Sequence, residues 1–154
     1  MTALNTFRDT PMRPQAAASE FTHPEVQDGV VIWSGSIVAL ERGKAVPGRA
    51  VAGLLIVGVA RDSVDNRTFL APPGGSKRRV PVLGGTAQFE NSPGTDEIGA
   101  DDIGRRCYVV DDRTLARTDG GGTRSVAGTI REIGRDRRVW VELGSAMTLE
   151  ASAR

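Results

Sequence analysis

Residues 105–118, RRCYVVDDRTLART, hold the chain's only cysteine, Cys107, close to the acid pair Asp111-Asp112. A cysteine near carboxylates invites a nucleophilic reading. The thiolate is the nucleophile, and forming it needs a base, usually histidine. The only histidine, His23, lies near the N-terminus. In a strand, Cys107 shares its face with Val109 and reads as a small buried apolar residue. Asp111-Asp112 stand where two strands must turn, and aspartate suits turns because its carboxylate accepts from nearby backbone N–H groups. The stretch therefore predicts a hairpin, Arg106–Val110 against Thr114–Thr118. The missing histidine also weakens any Ser-His-Asp arrangement.

Other chemistry fares no better. Asp96, Glu97, Asp101 and Asp102 could offer oxygen to calcium, yet they lack the spacing of a calcium loop. One cysteine and one histidine do not make a zinc site. Pro73–Arg79 (PGGSKRR) and Gly120–Ser125 (GGGTRS) resemble phosphate cradles, without Walker spacing and without a following helix. The expectation is no catalytic residue, no metal, no cofactor and no small-molecule substrate, hence no enzyme.

The elements that would position these residues are short. Glycine is abundant, 19 in 154 residues, and punctuates Val/Ile-rich runs. Strands are expected at Gly29–Trp33, Ser36–Glu41, Ala45-Val46, Leu54–Ala60, Arg67–Leu70, Lys77–Leu83 (demoted to an edge or bulge by Pro81), Thr86–Glu90, the hairpin above, Thr123–Ile133 and Arg138–Leu143. Along the last, Val139, Val141 and Leu143 alternate with Trp140 and Glu142. Asp101 is expected to cap a single helical turn in the connection 91–104. About ten short strands and no long helix predict an all-β fold, a compact sandwich or barrel.

Residues 1–24 differ. They carry Pro11, Pro14 and Pro24 and follow no period of either 2 or 3.6. Phe7, Met12 and Phe21 make them too apolar for a simple solvated tail. Two readings stand, a frayed terminus and an extended arm that orders on a partner. The organisation expected is an arm (1–24), a β body (25–144) and a C-terminal tail (145–154).

Net charge is +1, which argues against bulk binding to nucleic acid. Lys77-Arg78-Arg79 and Arg135, Arg137 and Arg138 lack interleaved aromatics and read as turn charges. The longest apolar run, Val51–Ala60, is interrupted by Gly53 and Gly58 and is too short for a membrane span. The N-terminus has no signal-peptide order, so a soluble protein made in the cytoplasm is expected. Trp33, Tyr108 and Trp140 fall opposite the core faces of their strands. Either a second layer covers them or the faces are reversed; otherwise they belong to a subunit interface, where aromatics are enriched.

Several stretches, in order, resemble the capsid cement or head decoration proteins of tailed bacteriophages. They are Ser36–Pro47 (SIVALERGKAVP), Gly53–Ala60 (GLLIVGVA), Val64-Asp65-Asn66, Gly84–Ser92 (GGTAQFENS), Ile103–Asp112 (IGRRCYVVDD) with Thr114-Leu115-Ala116, Thr123–Gly128 (TRSVAG) and Val139-Trp140-Val141. None is a catalytic signature. The resemblance runs from Asp28 to about Leu143. It implies a structural virion protein on the outer capsid surface, a homotrimer that binds assembled major capsid protein and stiffens the head. Phe7, Met12, Pro14 and Phe21 would then anchor a docking arm, and Trp33, Tyr108 and Trp140 would meet neighbouring subunits. The alternative class is a ligand- or carbohydrate-binding β module, motivated by the same three aromatics.

Overall fold

The computed structural model describes residues 2–13, 22–67 and 78–143. Pro14, Phe21, Lys77, most of the Arg67–Leu70 stretch and the tail 145–154 lie outside the described residues. The protein is all-β. Among the described residues there is no α-helix, only single 3-10 turns at Gly94–Asp96 and Ala100–Asp102. Asp102, rather than Asp101, caps the second turn, its Oδ2 accepting from the Gly99 N–H at 2.8 Å.

The strands are β1 (Met12–Arg13), β2 (Val31–Ile32), β3 (Ile37–Glu41), β4 (Lys44–Pro47), β5 (Leu55–Ala60), β6 (Val64–Asp65), β7 (Val82–Leu83), β8 (Gly85–Asn91), β9 (Arg106–Val109), β10 (Thr114–Ala116), β11 (Val126–Ile133) and β12 (Val139–Leu143). They form two bodies of sheet. β4-β3-β5-β7 make a curled antiparallel sheet, with β2 and β6 paired separately. Residues 22–27 run between the two edges of that sheet. Thr22 exchanges hydrogen bonds with Val82 on one side, and Ala45 bonds Glu25 and Gln27 on the other. The buried Asn66 amide fixes this run by donating to the Val26 carbonyl at 3.0 Å.

The second body is a five-stranded barrel. Its order is β8-β10-β9-β11-β12, and β12 pairs back onto β8. All neighbours are antiparallel except β8 and β10, which run parallel. β10 covers only the far end of β8, at Glu90 and Asn91. The near part of β8, at Thr86 and Ala87, is paired by β1. The N-terminal strand thus protects a barrel edge that would otherwise be open to another chain.

The cores follow from alternation. Ala87 and Phe89, Cys107 and Val109, and Val139, Val141 and Leu143 all lie in one buried cluster. β3 contributes Ile37 and Ala39 to that cluster and Val38 to a second one, with Val26, Ile32, Ala45, Ala60, Val80 and Val82. It is buried on both faces, so it shows a continuous apolar run instead of alternation. On β11, the expected Val126/Gly128/Ile130 face is modified by a bulge between Val126 and Gly128, and Ala127 is buried as well.

Candidate functional site

The predicted hairpin forms. β9 and β10 pair antiparallel through Leu115–Val109 and Ala116–Tyr108. Cys107 is fully buried, its Sγ 3.7 Å from the Gly128 carbonyl. Burial pushes its thiol up to about 12, so thiolate is scarce at neutral pH. Native protein at pH 8 should resist a soluble thiol reagent and react only as fast as it opens, while protein in denaturant labels at once. Rapid, complete labelling of the native chain would place Cys107 outside the barrel.

The turn itself is not solvated. Asp111 and Asp112 are only 8% and 2% exposed. Asp111 Oδ1 accepts from the Arg113 N–H at 2.9 Å, the local bond expected of a turn aspartate. Asp112 does something that local reasoning misses. Its Oδ1 accepts from the backbone N–H of Leu4 at 2.8 Å, joining residues far apart in the chain. Its carbonyl also accepts from Ile37 N–H at 2.8 Å. Desolvation by burial pushes the Asp112 carboxyl up to about 6; neighbouring Asp111 adds to this, and the Leu4 amide and Arg113 oppose it. Asp111 Oδ2, Arg113 Nε and Thr114 Oγ1 are buried at the same turn without a hydrogen-bond partner among the described residues.

The N-terminal segment is fastened along its length. Arg8 N–H donates to the Ser34 carbonyl at 2.6 Å. Its guanidinium donates to Thr10 Oγ1 at 2.7 Å and to the Gln88 carbonyl at 2.9 Å, and stands 5.7 Å from the centre of the Phe89 ring. Burial lowers the Arg8 pKa, partly offset by Glu90. The Thr10 hydroxyl donates to the Gly35 carbonyl at 2.5 Å, and Gln88 N–H donates to the Pro11 carbonyl at 3.0 Å. No period marks Arg8, Thr10 or Asp112 in the sequence. The one available signal is the pair of adjacent acids at a turn flanked by apolar strands.

The proposed docking residues separate. Phe7 is 68% exposed. Met12 is half-buried, paired with Ala87 and packed against the barrel cluster. Pro14 and Phe21 lie outside the described residues. Tyr108 and Trp140 are half-buried residues of β9 and β12, with β11 between those strands, and half-buried Trp33 follows β2. Tyr108 packs against the barrel cluster.

The acidic loop is engaged internally. Asp96 accepts from the Thr118 hydroxyl and pairs with Arg124 at 3.2 Å. Its carboxyl is held below the ordinary range, chiefly by the Thr118 bond and then by Arg124. Glu97 pairs with Arg137. Glu97, Asp101, Asp102 and Arg117 line an open recess of about 280 Å³. Among the described residues no three His, Cys, Asp or Glu side chains converge as a metal site would require. The basic turns are also paired: Arg79 with Glu25, Arg138 with Glu90 and Asp136. Comparison with known protein families, with curated proteins and with solved structures finds no match.

Proposed function

We propose that the chain is a structural virion protein of a tailed phage, binding the assembled major capsid lattice from outside and stabilising the head. The observation that carries this reading is Phe7, exposed on a segment held to the body at Leu4 on one side and Arg8 on the other. A large aromatic presented on an ordered segment loses little freedom when a partner buries it, and such residues dominate interface energetics. A protein that binds only the assembled lattice stabilises it by mass action. A trimer multiplies each modest contact, because linked sites act with a high effective concentration. The all-β body supplies a rigid platform for that display.

Co-sedimentation tests the reading. The chain should pellet with expanded empty heads of its phage and not with unassembled capsid subunits. Phe7→Ala should weaken binding at least about tenfold, corresponding to the burial of one aromatic side chain. Absence of the wild-type chain from the head pellet would overturn the proposal.

A further inference from the structure

We propose that Asp119 is a site of spontaneous isoaspartate formation, set apart by the fold from the chain's other Asp-Gly pair. The sequence contains two such pairs, Asp28-Gly29 and Asp119-Gly120. A glycine nitrogen reaches the preceding carboxyl easily, because no Cβ stands in the way. All four residues are exposed, so neither sequence nor exposure separates the pairs. What separates them is how each glycine N–H is held.

The Gly29 N–H donates to the Asn66 carbonyl at 2.8 Å. Asn66 is itself buried and anchored by its amide on the Val26 carbonyl. The nitrogen of that pair must leave a firm partner before it can react. At the other pair, no hydrogen bond holds the Gly120 N–H among the described residues. Asp119 Oδ1 instead accepts from the next amide, the Gly121 N–H, at 3.1 Å, the local bond of a turn aspartate. That bond closes a small ring through the Asp119 Cγ and the Gly120 nitrogen, keeping the two reacting atoms close. The two residues after Gly120 are also glycine, so the tip can adjust as a covalent ring forms.

The reaction needs only water. The Gly120 nitrogen bonds to Cγ of the protonated Asp119 carboxyl, whose OH leaves with the N–H proton as one water. The product is a five-membered succinimide. Water then adds back to either ring carbonyl. Breaking the new C–N bond restores aspartate. Breaking the original one gives isoaspartate, in which the main chain runs through Cβ and Cγ and is one methylene longer. The Asp119 carbonyl, which accepts from the Thr123 and Arg124 N–H groups at 3.0 and 3.1 Å, becomes a free carboxylate. The lengthened chain lies between Thr118 and Arg124, both of which bond Asp96, so the change reaches the seam between this tip and the acidic loop. The inference is independent of what Phe7 meets.

Mass spectrometry of the full chain, after prolonged warm incubation at mildly acid pH, tests the assignment. Isoaspartate leaves the mass unchanged and is recognised by its electron-transfer fragments. Trypsin isolates Asp119 in the peptide Thr118–Arg124. In the native protein isoaspartate should accumulate at Asp119 at least about fivefold faster than at Asp28, the equivalent of about 1 kcal/mol holding the Gly29 amide. In denaturant the two rates should be similar, because the bonding partners are gone. Equal rates in the native chain overturn the proposal, as does an absence of isoaspartate at Asp119 in an incubation that modifies the denatured chain. A gap that persists in denaturant belongs to local sequence and overturns the part given to the fold. Asp119→Glu keeps the charge but needs a six-membered ring, which closes slowly. Isoaspartyl methyltransferase labelling of the aged variant should fall to the level that Asp28 sets, and unchanged labelling overturns the assignment to Asp119.

Discussion

Gly35→Ala should strip the N-terminal segment from an otherwise folded protein. Gly35 has φ of 91°, a conformation that costs a non-glycine residue about 1–2 kcal/mol. A Cβ there would also stand 1.8 Å from the Arg8 carbonyl oxygen and 2.6 Å from its carbon. Those are backbone atoms, so no rotamer change relieves the overlap. The Arg8 backbone must move away, and its N–H then leaves Ser34. The Thr10 bond to the Gly35 carbonyl and the Arg8 guanidinium on Gln88 depend on the same seating. Exchange protection across residues 4–12 should fall by about a hundredfold, the equivalent of about 2.7 kcal/mol, with the barrel still protected. Gly43→Ala is the control. It has a similar φ of 80° and nothing within 4 Å of the added carbon. Equal behaviour of the two variants would show that the segment does not lie against Gly35.

Phe89→Ala should be the most damaging side-chain truncation in the barrel. Phe89 is fully buried, faces Val139 across the β8–β12 pair and lies beneath the Arg8 guanidinium. Removing a buried phenylalanine costs about 3–5 kcal/mol, against a total stability of about 5–15 kcal/mol for a domain. At about 2–4 °C per kcal/mol for a chain of this length, calorimetry should show the midpoint falling by about 6–20 °C. Phe89→Leu should fall much less, because most of the volume remains. A shift under about 3 °C for Phe89→Ala, the order of 1 kcal/mol on the same scale, would mean that the ring does not fill the barrel.

The sequence was most legible where burial is one-sided. β12 shows clean alternation because one face meets the barrel interior, and the β9–β10 hairpin could be read because its partners are neighbours in the chain. β3 was recognisable as a strand, yet its two buried faces could not be separated, since both carry apolar residues. The candidate site was the least legible part. Cys107 lies on the buried face that its alternation with Val109 predicts. Asp111 and Asp112 stand in the turn that their residue type predicts, whereas the bond from the Leu4 N–H to Asp112 has no local signal. Phe7 and Met12 looked alike as apolar residues in an aperiodic stretch. Only the position of β8 separates one exposed ring from one side chain packed on the barrel. Local pattern carries no information about contacts between residues far apart in a chain.

Such long-range contacts also govern how the molecule comes together. Residues 22–27 are made early, yet their partners at Arg78 and Val82 come much later; β1 likewise waits for β8. Closing such distant pairs is slow, and folding dominated by them takes about milliseconds to seconds. During that interval β4, β7 and the near half of β8 present unpaired backbone edges, for which another copy competes with the chain's own N-terminal residues as concentration rises. Refolding yield should therefore fall with protein concentration, and a free peptide of residues 2–13 should compete for the open β8 edge during assembly.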